Sequence, residues 1–363
     1  MSIENRKQEH IEMALTPNSQ GPLTTLFEDV ILIHNAIPNI AYDKVDTSTS
    51  FLGYKLGAPI IISGMTGGTE KAYEINRRLA ELAEEFRIAI GVGSQRAMIE
   101  NPSLAYTYKI VREVARSVPV IANIGFAQIK NLSMDQIESI VSIVEANALA
   151  IHLNPAQELV QIEGDRDFEN VLESIEKILS RLSIPVIIKE IGNGLSKEVA
   201  EKLYVIGVKI FDVAGAGGTN WVRIELMRSL KSKTDVARVA EAFISWGIPT
   251  AASICEVRSV SQDIIVIGSG GIRSGVDIAK AISLGADLVA IAQPILKNVL
   301  MGKGKEYLNI IINQLKIAMS LVNVRNIDEL KQSPMVITGK LAQWICARKL
   351  KLRNNYAYIY CYC

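Results

Sequence analysis

Eight short apolar segments, each followed by a glycine-containing or polar loop and then by a helical pattern, constrain the fold of this chain most strongly. Buried parallel strands are continuous apolar runs, and their alternation with helices is typical of α/β proteins. The eight segments therefore predict a closed (β/α)8 barrel. An open doubly wound sheet is the alternative, which the absence of a GxGxxG first turn disfavours. The segments are 59–63, 88–92, 119–123, 149–153, 185–190, 208–213, 264–267 and 288–292.

The last two units, residues 263–296, have the features of a phosphate site. Gly268, Gly270 and Gly271 follow the seventh segment, and Gln293-Pro294 begins a helix after the eighth. Glycine loops and helix N-termini direct backbone N–H groups at anions, and in (β/α)8 barrels a phosphate site commonly follows strands 7 and 8. An ordinary βαβ turn, with its glycines used for packing, is the alternative interpretation.

Composition narrows the class of protein further. The chain has 363 residues and a net charge of +1, so it gives no sign of nucleic-acid binding. It contains no run of eighteen apolar residues and begins with a charged segment, which predicts neither a membrane span nor a secretory signal. Its four cysteines are few for this length, so we expect a cytoplasmic protein with reduced thiols.

Functional side chains of a (β/α)8 barrel lie at the C-terminal ends of its strands. At such a strand end, Lys189 has three alternative roles. It is a Schiff-base nucleophile, a fixed positive charge beside an electron-rich ring, or a partner in a structural salt bridge. His152 fits a donor to substrate or a structural histidine, and Trp221 fits a pocket wall or helix packing. Glu158, with Asn154 one turn earlier, offers oxygen ligands for Mg²⁺. The full set is Met65, Thr66, Ser94, Arg96, Asn123, His152, Asn154, Gln157, Glu158, Lys189, Thr219, Asn220 and Trp221.

These features together favour a flat phosphorylated cofactor in the barrel mouth. FMN fits better than NAD because only one phosphate cradle is evident. Upstream, Arg6, Lys7 and His10 share one face of a predicted helix over residues 2–15, which suits an anion or is simply a solvated face. Residues 30–34 are predicted to form a strand that closes the bottom of the core.

Seven motifs resemble the type 2 isopentenyl diphosphate isomerases, over roughly residues 5–340. The two specific ones are RKxxH (Arg6, Lys7, His10) and HLNPAQE (His152 to Glu158). The others are MTGG at 65–68, GSQR at 93–96, KEIGNG at 189–194, DVAGAGGTNW at 212–221 and GSGGIRSG at 268–275.

The resemblance implies a role for each matching residue. Gln157, His152 and Lys189 are implied to be catalytic, and Glu158 is implied to hold Mg²⁺. The implied substrate-binding residues are Arg6, Lys7, His10, Arg96, His152, Asn154, Gln157 and Trp221. The implied FMN-binding residues are Met65, Thr66, Ser94, Asn123, Lys189, Thr219, Gly271, Arg273, Ala292 and Gln293.

The implied reaction is the conversion of isopentenyl diphosphate to dimethylallyl diphosphate by a 1,3-allylic proton shift. It requires FMN reduced by NADPH or another reductant, with the reduced flavin as the favoured acid and base, and no net redox change. The resemblance further implies a homotetramer or a larger even assembly. A flavin-dependent 2-hydroxy-acid oxidase would need a histidine in the loop after the sixth strand, which VAGAGGTNW lacks. A Schiff-base aldolase and a flavin carrier without turnover are the remaining alternatives.

The domain prediction is a single barrel domain over residues 1–363, with 1–16 as an N-terminal substrate-binding arm and 340–363 as an atypical C-terminal tail. The tail has no acidic residue, holds three of the four cysteines and alternates tyrosines from Tyr356 onward. These features depart from the family pattern, so we assign residue roles from the resemblance only as far as Gly339.

Overall fold

The computed structural model describes residues 3–232 and 236–361. Strands precede, form and follow a barrel, and helices surround it. The strands are β1 Val30–Leu32, β2 Thr49–Phe51, β3 Tyr54–Leu56, β4 Ile60–Ile62, β5 Ala89–Gly91, β6 Val120–Gly125, β7 Ala148–His152, β8 Val186–Lys189, β9 Ile210–Asp212, β10 Ile265–Ser269, β11 Leu288–Ile291, β12 Met335–Ile337 and β13 Ala357–Ile359.

The helices alternate with the barrel strands and extend beyond them. They are α1 Ile3–Ala14, α2 Glu70–Phe86, α3 Arg96–Glu100, α4 Tyr106–Val114, α5 Phe126–Ile129, α6 Met134–Ile143, α7 Pro155–Val160, α8 Val171–Arg181, α9 Lys197–Val205, α10 Trp221–Ser232, α11 Val236–Glu241, α12 Thr250–Arg258, α13 Gly275–Leu284, α14 Gln293–Leu300, α15 Gly304–Leu321, α16 Ile327–Leu330 and α17 Gly339–Arg348.

The barrel is closed by eight parallel strands, β4 to β11, with β11 hydrogen-bonded to β4. Each strand falls within or close to one of the eight apolar segments, which confirms the predicted (β/α)8 fold. Local signals set the bounds of helix α13. It begins after Ser274, which forms a capping box with Asp277, and ends at Gly285, where φ is 132°.

Alternate residues of the barrel strands point inward and fill the interior, as the two-residue period of a strand requires. Ile61, Ile121 and Ile187 belong to this inner layer, together with Phe51 and Leu56 from the β2–β3 hairpin. The hairpin therefore closes the bottom of the barrel. The prediction that residues 30–34 do so was wrong, because β1 pairs instead with β12 in a separate sheet of order β1–β12–β13.

The C-terminal tail is folded onto the barrel. Strand β13 pairs in parallel with β12, and Leu341 and Ile345 of α17 are buried. Cys346 and Cys361 form a disulfide with their Cα atoms 5.7 Å apart, which corrects the expectation that these thiols are reduced. Among the described helices, none has both the length and the apolarity needed to cross a bilayer.

Candidate active site

A cavity of about 290 Å³ opens at the C-terminal ends of the barrel strands, between the strand loops and helix α1. Its walls contain every site residue predicted from the sequence except Asn220, although those residues come from nine separate parts of the chain. The predicted residues found there are Arg6, Lys7, His10, Met65, Thr66, Ser94, Arg96, Asn123, His152, Asn154, Gln157, Glu158, Lys189, Thr219, Trp221, Gly271, Arg273, Ala292 and Gln293. Asn220, collected by the strand-end rule, instead bonds to the Ile244 carbonyl.

The cavity is strongly cationic. Of the described residues lining it, five are lysines or arginines and one, Glu158, is a carboxylate. Carboxylates outside the cavity lining neutralise part of this positive charge. Glu100, for example, forms a salt bridge with Arg96 at 2.8 Å. The remaining excess suits a ligand carrying more than one phosphate. The five cations are Arg6, Lys7, Arg96, Lys189 and Arg273.

His152 is held as a neutral imidazole of one tautomer. The amide of Asn123 donates to the Val92 carbonyl at 3.0 Å, so its Oδ1 faces His152 Nδ1, 2.9 Å away, as an acceptor. Nδ1 must then carry the proton, and Nε2 is left as an acceptor. Burial and then the charge of Lys189 lower the pKa of His152 to about 4.

Lys189 ends strand β8 and lies opposite Asp212 in the barrel register. Its Nζ is 3.3 Å from Asp212 Oδ2 and donates to the Glu190 carbonyl at 2.9 Å. Asp212 also accepts a hydrogen bond from Ser269 on the next strand. An ammonium paired in this way is a fixed positive charge at the cavity wall, which favours the electrostatic interpretation of Lys189 over the Schiff base.

The end of strand β7 and helix α7 together contribute the HLNPAQE side chains. Asn154 donates to Glu158 Oε1 at 2.9 Å and to Gln157 Oε1 at 3.1 Å, while its own Oδ1 is buried without a partner. Glu158 Oε2 accepts from the Asp165 backbone N–H at 2.8 Å. No group of three His, Cys, Asp or Glu side chains arranged to hold a metal occurs among the described residues. A cation here would take Glu158 and the vacant Asn154 oxygen and complete its shell with ligand oxygens or water.

Sequence reasoning missed Glu225, a buried carboxylate on α10 directly behind the cavity. It accepts hydrogen bonds from Gln157 at 2.9 Å and pairs with His10 at 2.8 Å and Arg228 at 2.5 Å. Burial opposes its ionisation most strongly, but His10, Gln157 and Arg228 outweigh burial and lower the pKa of Glu225 below its ordinary value. Its position four residues after Trp221 places it on the same helix face, a signal that the sequence did contain.

Helix α1 covers one side of the cavity. Ile11 is buried in the main core, and the His10 ring meets the Trp221 ring edge-on with centroids 5.3 Å apart. In the amide orientation that satisfies both of its neighbours, Gln161 accepts from Arg6 at 3.1 Å through its oxygen and donates to Glu225 at 3.1 Å through its nitrogen. The predicted cluster of Arg6, Lys7 and His10 therefore lines the same cavity as the HLNPAQE residues. Burial of the Lys7 ammonium, followed by the charge of Arg6, lowers the pKa of Lys7 to about 7.

The glycine loops after β9 and β10 pack backbone against backbone. A Cβ at Gly271, where φ is 72°, would lie 2.4 Å from the Gly217 carbonyl oxygen. The cavity continues between these loops to Gln293, the first residue of α14. Across the mouth, Thr66 Oγ1 is buried without a partner. A glycine cradle at one end and an unpaired hydroxyl at the other fit a ligand with a phosphate and a polar ring, as FMN has.

Comparison with known proteins places these features in a family. Residues 133–337 match the family model described as FMN-dependent dehydrogenase. A relative from Sulfurisphaera tokodaii is 46% identical over 97% of this chain and 96% of its own length, and its name is isopentenyl-diphosphate delta-isomerase. A protein of the same name from Metallosphaera sedula is 43% identical over 97% of each chain.

Solved structures of low sequence identity share the barrel. Lactate oxidase from Pediococcus acidilactici aligns with a TM-score of 0.67 at 14% identity, covering 92% of this chain and 94% of its own. A mandelate oxidase aligns with a TM-score of 0.63 at 16% identity, covering 93% and 98%. At such identities the likeness shows the fold alone.

Proposed function

The chain belongs to the FMN-dependent, type 2 isopentenyl-diphosphate delta-isomerases, and from this we propose that it converts isopentenyl diphosphate to dimethylallyl diphosphate by a 1,3-allylic proton shift. One observation carries the proposal most directly. The basic residues of helix α1 and the HLNPAQE residues of the β7 end line the same cationic cavity. A diphosphate needs such a cluster, because several charge-assisted hydrogen bonds must compensate for its lost hydration.

The diphosphate is proposed to bind Arg6, Lys7, His10, Arg96 and Asn154, and Glu158 would hold Mg²⁺ beside it. Arg6 and His10 are already oriented through Gln161 and Glu225, so little side-chain entropy is lost on binding. Trp221 would form a wall for the prenyl chain. A closed apolar wall also excludes water from the carbon centre, where positive charge develops during proton transfer.

FMN is proposed to bind between the glycine cradle and Met65, Thr66, Ser94 and Asn123, and when reduced it supplies an electron-rich ring and the acid and base for the shift. Lys189 is proposed to place a positive charge beside that ring, where it stabilises the reduced form. His152, with its proton on Nδ1, would present an acceptor, and Gln157 would lie against the reacting carbons. NADPH as reductant, a cytoplasmic location and a homotetramer or larger even assembly belong to the same proposal.

The oxidase alternative needs a histidine base after the sixth barrel strand. Residues 213–220, which follow β9, contain none, and Asp212 is engaged with Lys189. The carrier alternative leaves the cationic cluster around Asn154 without a purpose, since FMN brings one phosphate to a cradle on the other side. The isomerase therefore accounts for both ends of the cavity.

Anaerobic proton NMR in D₂O tests the proposal directly. Isopentenyl diphosphate is incubated with the protein, FMN, Mg²⁺ and dithionite. We expect deuterium-bearing dimethylallyl diphosphate, and little product when the FMN is kept oxidised or when EDTA removes the metal. Absence of conversion while FMN is bound and reduced would refute the isomerase activity for this chain.

A further inference from the structure

Arg228 lies behind the cavity wall and joins three parts of the chain that carry site residues. Its guanidinium contacts Glu225 on the same helix α10 at 2.5 Å, Glu9 of α1 at 3.2 Å and Glu163, just after α7, at 3.4 Å. The Arg228 side chain is buried and does not line the cavity itself. Because a guanidinium presents five N–H donors in a fixed planar fork, it can hold several carboxylates in set orientations.

The two oxygens of the Glu225 carboxylate have separate partners. Oε2 is held by Arg228, whereas Oε1 accepts from Gln157 Nε2 at 2.9 Å and lies 2.8 Å from His10 Nε2. The last torsion of a glutamate side chain is broad unless one of its oxygens is fixed. The contact with Arg228 therefore determines where Oε1 points. Through Oε1 it orients two side chains that do line the cavity, those of His10 and Gln157.

The orientation of Gln157 in turn determines that of Asn154. An ionised carboxylate only accepts hydrogen bonds, so Gln157 must direct its NH2 group to Glu225 and its Oε1 away from it. That oxygen accepts from Asn154 Nδ2 at 3.1 Å, and the same Asn154 nitrogen donates to Glu158 at 2.9 Å. Asn154 Oδ1 is left as a buried acceptor with no partner among the described residues. The order of donors and acceptors in this part of the site therefore begins at Glu225.

Stability alone is a weak reason for burying Arg228 with Glu225. The cost of removing both charges from water often equals or exceeds their attraction, so a buried ion pair contributes little net stability. A fixed geometry directly behind a ligand site accounts for the pair better.

We propose that Arg228 is a positioning residue for the isomerase and acts through Glu225. It fixes one oxygen of that carboxylate, so that the other oxygen orients His10 and, through Gln157, Asn154. The effect on ligand binding rests on the proposed function, because His10 and Asn154 belong to the proposed diphosphate and cation site. The orientation of His10 does not depend on that function and can be measured without any ligand.

Nitrogen-15 NMR of the histidine-labelled, FMN-loaded protein tests the orientation of His10. The chain has three histidines, and His10→Asn assigns the His10 signals by difference. We expect Arg228→Met to move the His10 Nε2 signal, because Glu225 loses the partner that fixes its other oxygen. The signals of His34, which is exposed, should stay in place. An unmoved His10 signal in the folded variant would overturn the proposal.

Arg258→Met is the matched control for the loss of a buried arginine. Arg258 lies on α12, is completely buried and pairs with Asp287, but it does not line the cavity. Both arginine-to-methionine variants leave a buried carboxylate with less compensation, so both should melt at a lower temperature. We expect only Arg228→Met to move the His10 signal, and an equal movement in both variants would reduce Arg228 to a stabilising role.

Glu163→Gln tests whether Arg228 acts through Glu225. It removes the charge of another Arg228 partner and leaves the contact between Arg228 and Glu225 in place. We expect the His10 signal to stay where it is in the unaltered protein. A movement as large as that in Arg228→Met would show that Arg228 acts through the loop after α7, which contradicts the proposed route.

Calorimetric titration with inorganic pyrophosphate and Mg²⁺ measures the effect on the site without turnover, using the protein loaded with oxidised FMN. We expect Arg228→Met to raise the Kd of pyrophosphate about tenfold, as the loss of a hydrogen bond to a charged group does. Arg228→Lys keeps the charge but not the planar fork, so we expect a melting temperature close to the unaltered one, a smaller movement of the His10 signal and a rise in Kd of about threefold.

The two measurements separate this proposal from the proposed function. An unaltered protein that does not bind pyrophosphate would contradict the diphosphate site, while the His10 signal would still decide the role of Arg228. Binding by the unaltered protein with the same Kd in Arg228→Met would overturn the positioning role. If Arg228→Met does not fold, an unmoved His10 signal and an unchanged Kd in Arg228→Lys would overturn it instead.

Discussion

At the residue scale, His152 combines a cavity-facing ring with an environment that disfavours its charged form. Its pKa is lowered to about 4, below the unperturbed value of 6.5. Between these values the unfolded chain binds a proton that the folded protein does not, so His152 makes folding stability rise with pH from about 4 to 6.5. Above that range its contribution is constant.

We expect nitrogen-15 NMR of the labelled protein to show His152 as the neutral Nδ1–H tautomer from pH 5 to 9. Only His10 and His34 share the spectrum, so His152→Asn assigns the signals by difference. As a check on the cause, Asn123→Asp should keep the Nδ1 proton and raise the pKa of His152, since a carboxylate replaces the amide acceptor. An imidazolium at pH 7 in the unaltered protein would contradict the assigned tautomer.

Glu158 is predicted to act on the cation rather than on the fold. Glu158→Gln retains an oxygen that can accept from Asp165 but removes the negative charge. We expect the Mg²⁺ concentration for half-maximal activity to rise at least tenfold, with FMN binding and melting temperature little changed, because a hard cation strongly prefers carboxylate. Glu169→Gln, an exposed change eleven positions along, is the control, and an identical Mg²⁺ dependence in both variants would remove Glu158 from the metal site.

At the element scale, the facing glycine loops after β9 and β10 are the most sharply defined part of the proposed FMN site. Gly271→Ala puts a methyl group 2.4 Å from the Gly217 carbonyl oxygen, whereas Gly302→Ala, at the same φ of 72°, meets nothing within 4 Å. Both changes strain the backbone by about 1 kcal/mol. The first must also separate the loops, so we expect FMN affinity to fall at least tenfold in Gly271→Ala and to stay unchanged in Gly302→Ala, as measured by flavin fluorescence.

Elements whose signal is local were predictable from the sequence. The capping box at Ser274 and the apolar run of β8 needed no knowledge of distant residues. The barrel rule then placed Lys189 and His152 at one edge, because strand ends of a parallel barrel meet there. The role of the β2–β3 hairpin was not predictable, because Phe51 and Leu56 pack against side chains from several distant barrel strands.

At the scale of the whole molecule, what the sequence could not supply was long-range pairing of buried polar groups. Glu225 lies on a helix that local patterns describe correctly, yet its contacts with His10 and Gln157 join residues 215 and 68 positions apart. Tyr108 likewise meets Lys7 101 positions away. Such pairs depend on the three-dimensional path of the chain. The periodicity of the sequence predicts the fold class but not the individual contacts.

The C-terminal tail also makes long-range contacts with buried polar groups, and these contacts stabilise the fold. Glu256 on α12 is completely buried, and its carboxylate accepts hydrogen bonds from Trp344 at 2.8 Å, Arg348 at 2.8 Å and the Lys197 backbone N–H at 2.9 Å. Two of these three partners belong to α17. Helix α17 therefore supplies the donors that a buried carboxylate needs.

Truncation after Gly339 should accordingly destabilise the protein rather than merely shorten it. It strips Glu256 of Trp344 and Arg348 and exposes the core under Leu341 and Ile345, a loss on the order of 5 kcal/mol in unfolding free energy. Truncation after Leu350 keeps α17 and removes the disulfide and β13, so we expect a clearly smaller loss in guanidinium unfolding. Equal losses would assign the stabilisation to the disulfide-linked strand, and no loss after Gly339 would show that α17 is dispensable to the barrel.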